Sequence, residues 1–443
     1  MDKRLSIFWR SLLVSAAVAS ATPAMAAAAD DPLLPNQWAL ADPAATGAQE
    51  AWTQSNGSGV VVAVLDTGVQ LNHPDLAGAI WTNPGEIAGN GRDDDNSGIV
   101  DDVHGANMFD HSNNVNDDHG HGTHVAGIVA ARQGNGVGGS GIAPGAQVMP
   151  VKVLDSSMGG NTDTLSLGIR YAVDRGAKII NVSINTDSPT ESVKSAVRYA
   201  GERGAIVVAS AGNNGRDIDV TPSYPASLAD PAVLAVGAQT AEGTLWQLSN
   251  TGTLSVDLAA PGARIASTAM GSAYQSRSGT SAAAPFVAGS LALLSAARPD
   301  LSMAALRQAI TETTQQTSLL TSLLGGGRLD VAAAMHRILG AQWRSGSSAS
   351  TATAAPKLRL ITKTKVRAGR RVTLRWKATN AERVTRWRVS LNGRVVATVK
   401  AGSAGVSRRV SRRGRNVWRV VGFDAGSSNV VAAKKTFRVT KRK

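Results

Sequence analysis

Three side chains that are widely separated along the chain are of the types that carry out nucleophilic catalysis. Asp66 stands in an Asp-Thr-Gly segment, His121 opens a His-Gly-Thr-His segment, and Ser281 closes a Gly-Thr-Ser segment. A serine hydroxyl is a weak nucleophile until a neighbouring base takes its proton. His121 is the natural base because imidazole titrates near neutral pH, and a carboxylate such as Asp66 would fix its tautomer. These residue types predict acyl transfer through a serine ester.

Each of these side chains stands at the end of an element that can present it. The apolar run 60–65 predicts a buried parallel strand that leads into Asp66. A helix is predicted to begin at His121, and a second one at Ser281. Pro285 is expected in the first turn of the second helix, where proline does no harm.

Catalysis of this kind also needs donors for the negative charge that develops on the carbonyl oxygen. Residues 205–213 predict a strand whose end presents the side-chain amide of Asn213. The backbone N–H of Ser281, at a predicted helix N-terminus, is the expected second donor.

Each short segment is common by itself. Taken singly, Asp66, His121 and Ser281 are typical of a strand-end cap, a surface histidine and a helix N-cap. Four such segments in one order, each beside a suitable element, favour the catalytic interpretation. His124, one turn further along the predicted helix, is interpreted as a hydrogen-bonded structural histidine.

About 300 residues, from near Gln37 to near Leu339, resemble the subtilisin-like serine proteases (subtilases), whose catalytic residues follow the order Asp, His, Ser. The motifs that carry the resemblance are residues 66–76, 141–146, 151–155, 259–262 and 327–334. The resemblance implies a three-layer α/β fold around a central parallel sheet. It also implies a serine endopeptidase with Asp66, His121 and Ser281 as its triad and Asn213 in its oxyanion hole.

In this family the substrate adds as a strand between two edges of the enzyme. The resemblance places the edges at residues 158–160 and 183–185. The candidate substrate-binding residues are Gly159, Gly160, Ser183, Ile184, Asn185 and Gly212. Asn185 replaces a family glycine that lines the primary specificity pocket, so the width of that pocket is left open. Residues 209–212 at the pocket base carry no carboxylate, although Asp187 is near in sequence, and we expect broad specificity with a preference for apolar side chains.

The chain contains no cysteine, so metal ions are the expected substitute for disulfide bracing. By resemblance, Asp75 matches the carboxylate of the family's strongest calcium site. Residues 134–138 match the segment that supplies further oxygen ligands, and Asn135 is the best side-chain candidate there. The predicted cofactor is a structural Ca²⁺.

A second candidate calcium site is the acidic run 93–102, which has Gly98 at the sixth position for the turn. The candidate ligands are Asp93, Asp95 and Asp101. The run departs from an EF-hand loop at its fifth and twelfth positions, which are Ser97 and His104. A solvated acidic loop is the alternative, but carboxylates packed so densely repel one another without a cation.

The first residues predict export. A cationic region is followed by a short apolar run at 12–21 and a small-residue cleavage site at 24–26. The run is too short for a membrane span, and no later run reaches 18 apolar residues, so no transmembrane segment is expected in the mature chain. A buried hydrophobic helix is the alternative. We expect a secreted protein, with periplasmic or cell-surface retention left open.

The composition changes sharply towards the C-terminus. Residues 345–356 are rich in Ser, Ala and Thr and predict a linker. Residues 357–443 contain 26 lysines and arginines against two acids, a charge of +24, while the whole chain carries +14. Alternating runs and an Asn392-Gly393 turn predict about seven short strands in an immunoglobulin-like or fibronectin-like sandwich.

So high a charge favours an anionic surface or polymer as partner of residues 357–443. Nucleic acid, anionic polysaccharide and lipid headgroups all remain open. No segment resembles a base-reading motif, which argues against sequence-specific nucleic-acid binding.

The predicted organisation is a signal peptide at 1–26, a peptidase domain at 27–344, a linker at 345–356 and a basic β-sandwich-like domain at 357–443. The predicted function is secreted endopeptidase activity on protein or peptide substrates. Two alternatives are kept: a processing peptidase dedicated to one partner, and a catalytically degenerate binding protein that acts through its basic tail.

Overall fold

The computed structural model describes residues 31–188, 190–316, 320, 323–340 and 343, and then 357–362, 365–368, 370–379, 386–392, 394–400, 405–409, 414–423 and 429–440. The chain divides into two compact units between Trp343 and Arg344. The predicted signal peptide and the predicted linker lie outside the described residues.

A seven-stranded sheet forms the centre of the first unit. Its strands are β1 Val61–Asp66, β2 Ala106–Asn107, β3 Gln147–Lys152, β4 Ile179–Val182, β5 Ile206–Ser210, β6 Val233–Gln239 and β7 Leu258–Pro261. They lie in the order β2-β3-β1-β4-β5-β6-β7, and every neighbouring pair is parallel. The predicted strand before Asp66 is β1, and the one before Asn213 is β5.

Helices cover both faces of this sheet. They are α1 Trp38–Ala41, α2 Ala48–Trp52, α3 His121–Ala130, α4 Thr162–Asp174, α5 Glu191–Glu202, α6 Thr280–Ala297, α7 Met303–Glu312 and α8 Val331–Leu339. Successive strand side chains point to opposite faces. Val62 and Val64 of β1 therefore join a core with α3 and α6, whereas Ala63 and Leu65 join a second core with α4 and α5. The predicted three-layer α/β fold is confirmed.

Helix α6 differs in one detail from the expectation. It begins at Thr280, so Pro285 is its sixth residue and lies in its second turn. The prediction of a proline in the first turn is wrong. Because proline has no N–H, the carbonyl of Ser281 loses its usual helical donor. Helix α6 is also the one described helix long and apolar enough to cross a membrane, but 78% of it is buried, as expected of a core helix.

A two-stranded antiparallel sheet precedes α6. Strand β8 spans Ile265–Ala269 and β9 spans Ala273–Arg277. The chain leaves β9 and enters α6 within three residues, so this hairpin delivers Ser281 to the helix N-terminus.

The described residues of the second unit form eight strands. They are β10 Lys357–Ile361, β11 Lys365–Arg367, β12 Arg371–Thr379, β13 Arg386–Leu391, β14 Arg394–Lys400, β15 Gly405–Arg409, β16 Gly414–Phe423 and β17 Asn429–Thr440. One sheet has the order β10-β12-β15 and the other β11-β17-β16-β13-β14. Leu374 and Trp376 of the first sheet share a core with Trp387, Val389 and Phe437 of the second. The predicted small all-β fold is therefore present.

Strands β13 and β14 form an antiparallel hairpin in which Leu391 pairs with Arg394. The two residues between them are Asn392, with φ at +50°, and Gly393. A positive φ at the first central residue is what a type I′ turn requires, as the Asn-Gly pair predicts.

Candidate active site

The Asp66 carboxylate and the His121 imidazole form a buried pair at the carboxyl edge of the central sheet. Asp66 is the last residue of β1 and is fully buried, and His121 is the first residue of α3. His121 Nδ1 lies 2.7 Å and 2.9 Å from the two carboxylate oxygens. Because an ionised carboxylate only accepts, Nδ1 carries the hydrogen and Nε2 keeps its lone pair. The imidazole is thus held in the tautomer of a general base.

The protonated form of this imidazole is favoured by its surroundings. Burial alone would lower the pKa of His121, but the neighbouring Asp66 charge and hydrogen bond raise it overall. His124 behaves in the opposite way. Burial lowers the pKa of His124 to about 4, and its Nε2 lies 3.0 Å from the Ile265 carbonyl oxygen, an arrangement typical of a neutral structural histidine.

Asp117, which the sequence reasoning missed, organises the start of α3. Its carboxylate accepts from the backbone N–H groups of Gly120 and Thr123 over 2.8 Å each and from the Thr123 hydroxyl over 2.6 Å. It also accepts from the Thr67 hydroxyl, next to Asp66, over 2.8 Å. A carboxylate at a helix N-terminus is favourable, and here it ties the aspartate strand to the histidine helix. Its position four residues before His121 is the signal that could have identified it.

Ser281 is held at the N-terminus of α6 by a contact that the proline creates. The Ser281 carbonyl, which lacks its helical donor because of Pro285, accepts instead from Ser183 Oγ over 3.0 Å. Asn181 Nδ2 in turn donates to Ser183 Oγ over 2.9 Å. The predicted nucleophile and one predicted substrate edge are therefore directly connected.

The side chain of Asn213 lies beside Ser281. A Cβ placed on Gly279 would be 3.0 Å from Ser281 Oγ and 3.3 Å from Asn213 Nδ2, so glycine leaves both groups room at one spot. Asn213 Oδ1 accepts from the N–H and the hydroxyl of Thr280 over 2.8 Å and 2.9 Å. With the oxygen held in this way, the Asn213 NH₂ group is left to donate to a ligand. Ser281 is the second helical residue, so its own N–H has no helical acceptor.

No hydrogen bond joins His121 to Ser281 in the part of the chain that the structure describes. Catalytic hydrogen bonds of this kind are often long without substrate. The structure brings the four predicted residues together in two pairs: Asp66 with His121, and Ser281 with Asn213 around Gly279.

A buried asparagine that the sequence reasoning missed fixes the loop after β5. Asn250 is fully buried; its Nδ2 donates to Ala211 O over 2.9 Å, and its Oδ1 accepts from the N–H groups of Asn214 and Arg216. Gly212, a predicted substrate-binding residue, donates its N–H to Thr280 Oγ1 over 3.0 Å.

The two predicted substrate edges line one cavity of about 160 Å³. Its wall includes Gly160 and Ile184 together with the apolar side chains of Val153, Leu154 and Leu165. Gly159 lies in a turn with Asp155. Its N–H donates to the Asp155 carboxylate, and its carbonyl oxygen accepts from the Asp155 N–H. Among the described residues, the backbone groups of Gly160, Ile184 and Asn185 have no hydrogen-bond partner. They are open to an added peptide strand.

Asn185 is held against the neighbouring strand. Its Nδ2 donates to the Ser210 carbonyl oxygen over 2.7 Å, and its Oδ1 accepts from the Ser210 hydroxyl over 3.1 Å. Asp187, the carboxylate two residues after Asn185, forms an ion pair with Arg216. The acidic charge that would favour a cationic substrate side chain is thus already compensated.

Asp75 and Asn135 are brought together as predicted, with Asp31 beside them. Asp75 and Asp31 are 0% and 3% exposed. Asn135 Nδ2 donates to Asp75 Oδ1 over 2.9 Å, and the N–H groups of Gly134 and Asn135 donate to Asp31. Burial raises the pKa of Asp75 to about 6, and the Asp31 charge adds to the shift. Asp31 was not found from the sequence because it precedes the first recognisable motif.

The acidic run 93–102 divides into two roles. Asp93 accepts from the backbone N–H groups of Ser97 and Gly98. Asp101 accepts from those of Asn90 and Gly91. Asp95 also accepts from the Ser97 N–H, and in addition it meets Glu86 and Asp102, with one oxygen of each lying within 4.8 Å of the others. Asp95 also pairs with Arg175, and Asp102 accepts from the Tyr171 hydroxyl over 2.6 Å.

A carboxylate-held imidazole, a serine at a helix N-terminus and an amide donor beside it define the site of a serine hydrolase. Residues 57–331 match the model of the subtilase family, peptidase S8. Thermitase of Thermoactinomyces vulgaris is 37% identical over 64% of this chain and 91% of its own length, and Subtilisin Savinase of Lederbergia lenta is 37% identical over 63% and 91%. The chain belongs to the subtilase family of serine proteases.

A solved structure supports the fold independently. A protease from Pseudoalteromonas arctica aligns with a TM-score of 0.59 at 29% identity, covering 70% of this chain and 99% of that one.

Replacement of Asn213 by Ala tests its contribution to the site. We expect kcat to fall about 10²–10³-fold with little change in KM, because the lost hydrogen bond forms only as charge develops on the oxygen; the magnitude is that measured for the corresponding donor in subtilisin. Steady-state kinetics on a soluble peptide measure both constants. Asn214→Ala, an exposed neighbour, is the control, and a loss confined to KM would instead assign Asn213 to substrate binding.

Proposed function

We propose that this protein is a secreted serine endopeptidase that cleaves peptide bonds through Asp66, His121 and Ser281. The observation that carries the proposal is the buried Asp66–His121 pair, with hydrogen-bond distances of 2.7 Å and 2.9 Å, at the sheet edge that meets the N-terminus of α6. A carboxylate buried beside an imidazole matches the arrangement that a general base needs.

In the proposed reaction, Ser281 Oγ attacks the scissile carbonyl carbon as His121 Nε2 takes its proton. The carbonyl oxygen becomes negative and accepts hydrogen bonds from Asn213 Nδ2 and the Ser281 N–H. The imidazolium, stabilised by Asp66, gives the proton to the leaving nitrogen and the C–N bond breaks. A water molecule then repeats these steps on the acyl-enzyme and releases the acid.

The proposed specificity is broad with a preference for apolar side chains. The cavity lined by Val153, Leu154, Leu165 and Ile184 suits an apolar side chain of the acyl half. Cleavage sites mapped on a random peptide library separate this proposal from a processing peptidase dedicated to one partner, which would cut few sequences.

Ser281→Ala tests the function itself. We expect the variant to fold and to lose about 10⁶-fold in kcat, the loss that the nucleophile causes in subtilisin. It should also lose labelling by a fluorophosphonate, which reacts with activated serines. Ser276→Ala, an exposed residue of β9, should keep both activity and labelling. Peptide cleavage retained by Ser281→Ala would remove Ser281 as the nucleophile. A parent protein that neither cleaves peptides nor is labelled would instead favour the degenerate binding protein.

The proposed calcium ion would be held by Asp31 and Asp75 with Asn135. Asp31 and Asp75 are both buried, and the charge of Asp31 raises the pKa of Asp75. Among the described residues, no cationic side chain forms an ion pair with either carboxylate. Two such carboxylates fit a hard divalent cation. A bound ion would neutralise both charges and join residue 31 to the loop at 134–139. The cluster of Glu86, Asp95 and Asp102 fits a cation less well, because Arg175 already pairs with Asp95.

Calcium should raise the melting temperature of the parent, because an ion bound only by the folded state contributes about 2.7 kcal/mol at 100 times Kd. Asp75→Asn should shrink this response. Asp163→Asn, an exposed aspartate at the start of α4, should not. Scanning calorimetry with calcium and in metal-free buffer measures the response, and an undiminished response in Asp75→Asn would remove Asp75 from the ligand set.

The pH dependence gives the same test a second readout. In the metal-free protein the pKa of Asp75 is about 6, above that of an unfolded aspartate near ~3.9, so the folded state favours the protonated form. The stability that Asp75 contributes should therefore fall as the pH rises from about 4 through 6. Asp75→Asn should lack this component.

The proposed localisation is outside the cytoplasm. The cationic first residues, the apolar run at 12–21 and the small-residue site at 24–26 support export through a cleaved signal peptide.

The basic second unit is proposed to tether the protease to an anionic surface or polymer. Along β12, residues 371–377 alternate strictly between exposed and buried. The exposed face carries Arg371, Arg375 and Lys377, and Arg409 of β15 pairs directly with Arg371. Like charges directly opposite one another in a sheet are destabilising, so an anion bound across this face would relieve their repulsion.

The tether is tested by replacing Arg371, Arg375, Lys377 and Arg409 with Gln in the full chain. We expect retention on a sulfated polysaccharide column to shift to lower salt, because fewer counterions are released on binding. The control replaces four exposed cations of the first unit with the same change in net charge: Arg92, Lys178, Arg198 and Arg264. Equal shifts for both variants would mean that only net charge matters, and would overturn a specific binding face.

A further inference from the structure

Arg277 is a cation near His121, and it has no part in the proposed reaction. It is the last residue of β9, four residues before Ser281, and it is partly exposed. With the Gln275 amide oriented so that its oxygen accepts, Arg277 Nε and Nη2 donate to that oxygen over 2.6 Å each. In the described part of the chain, Arg277 forms no ion pair with a carboxylate. Most of its hydrogen-bonding fork is therefore available to a ligand.

The guanidinium lies close to the catalytic histidine. A Cβ placed on Gly120, the residue before His121, would be 3.6 Å from Arg277 Nη2. Its charge reaches both histidines of α3: it opposes protonation of His121, and it adds to the burial that lowers the pKa of His124. An uncompensated cation here opposes the imidazolium that the reaction must form. A substrate anion beside Arg277 would offset that cost.

The position of Arg277 indicates which half of the substrate it meets. The acyl half is proposed to lie between the edges at 158–160 and 183–185, and Arg277 does not line the cavity between them. It lies instead by Gly120, where an added Cβ would be 3.6 Å from Arg277 Nη2 and 2.9 Å from Met270 Cγ, and Met270 is 40% exposed. His121 must deliver its proton to the leaving nitrogen, so the chain beyond the scissile bond passes on the histidine side.

We propose that Arg277 binds a carboxylate in the first residues after the scissile bond, so that the protease prefers Asp or Glu there. The planar guanidinium matches a carboxylate with two parallel hydrogen bonds. This inference rests on the proposed cleavage at Ser281, and it adds an acidic requirement on one side of an otherwise broad specificity.

The test uses internally quenched peptides that share one acyl half and differ only after the scissile bond, where they carry Asp, its isostere Asn, or Lys. We expect the parent to show a kcat/KM for Asp about 3- to 5-fold above that for Asn, the size expected of a partly exposed ion pair. The ratio should approach one at 1 M salt, where such pairs are screened.

Variants assign the preference to this side chain. Arg277→Gln should bring the Asp-to-Asn ratio to about one, Arg277→Lys should keep part of it, and Arg277→Glu should favour Lys. Arg264→Gln is the matched control, because Arg264 lies just before β8 of the same hairpin and pairs with Glu242. Each ratio compares two substrates on one variant, so changes in the common acyl chemistry cancel.

The acyl-enzyme gives an independent readout, because the leaving-group site then accepts added amines. Asp-Ala-amide should intercept the acyl-enzyme more efficiently than Asn-Ala-amide in the parent and equally in Arg277→Gln. A parent ratio near one, or an unchanged ratio in Arg277→Gln, would overturn the proposal. Failure of the proposed function would be distinct, since no peptide would then be cleaved and a fluorophosphonate would label nothing.

Discussion

A fully buried carboxylate at the end of a central strand is the constraint on which the rest of the site depends. An ionised Asp66 removed from water is costly unless its oxygens are paired. The chain meets this need with His121 Nδ1 and with the N–H of Thr67, 2.8 Å away. The position of α3, the tautomer of the imidazole and the link through Asp117 all follow from satisfying that one charge. The hydrogen bonds that the proposed catalysis needs are therefore the same ones that satisfy the buried carboxylate.

Ser281, the proposed nucleophile, is held in a different way, because its carbonyl lacks a helical hydrogen bond and accepts one from outside the helix. Pro285 deprives the Ser281 carbonyl of its donor, and Ser183 on a substrate edge supplies one. An unpaired carbonyl is costly when it is desolvated, so the first turn of α6 and the edge are joined by this hydrogen bond. A peptide that occupies the edge therefore lies at a fixed distance from the helix that carries Ser281.

The sequence predicted what depends on local pattern and family motifs. Strand β1, helix α3, the start of α6 and the Asn392 turn were all visible as apolar periods or turn residues. Asp31 and Asn250 were missed because their roles come from burial and from distant partners, in the case of Asp31 at Gly134 and Asn135. Asp117 carried a local signal, its place four residues before His121, but its hydrogen bond with Thr67 has no local pattern. In the acidic run, spacing alone could not tell that Asp95, unlike Asp93 and Asp101, meets Glu86 and Asp102. Pro285 was misplaced by a single turn, within the usual uncertainty of helix starts.

Electrostatics divides the molecule along its length. Residues 1–356 carry a net charge of −10 and place pairs of carboxylates in buried loops, whereas residues 357–443 carry +24. Buried acids such as Asp31 and Asp75 would make the first unit dependent on the proposed cation that neutralises them, whereas exposed arginines on a sheet face need no burial and act over a Debye length. Arg277 is neither a buried acid nor part of the basic sheet. It is a cation near His121, which must itself become cationic in the proposed reaction. Its presence there opposes the imidazolium unless a substrate brings the missing negative charge, and this links the choice of substrate to the chemical step.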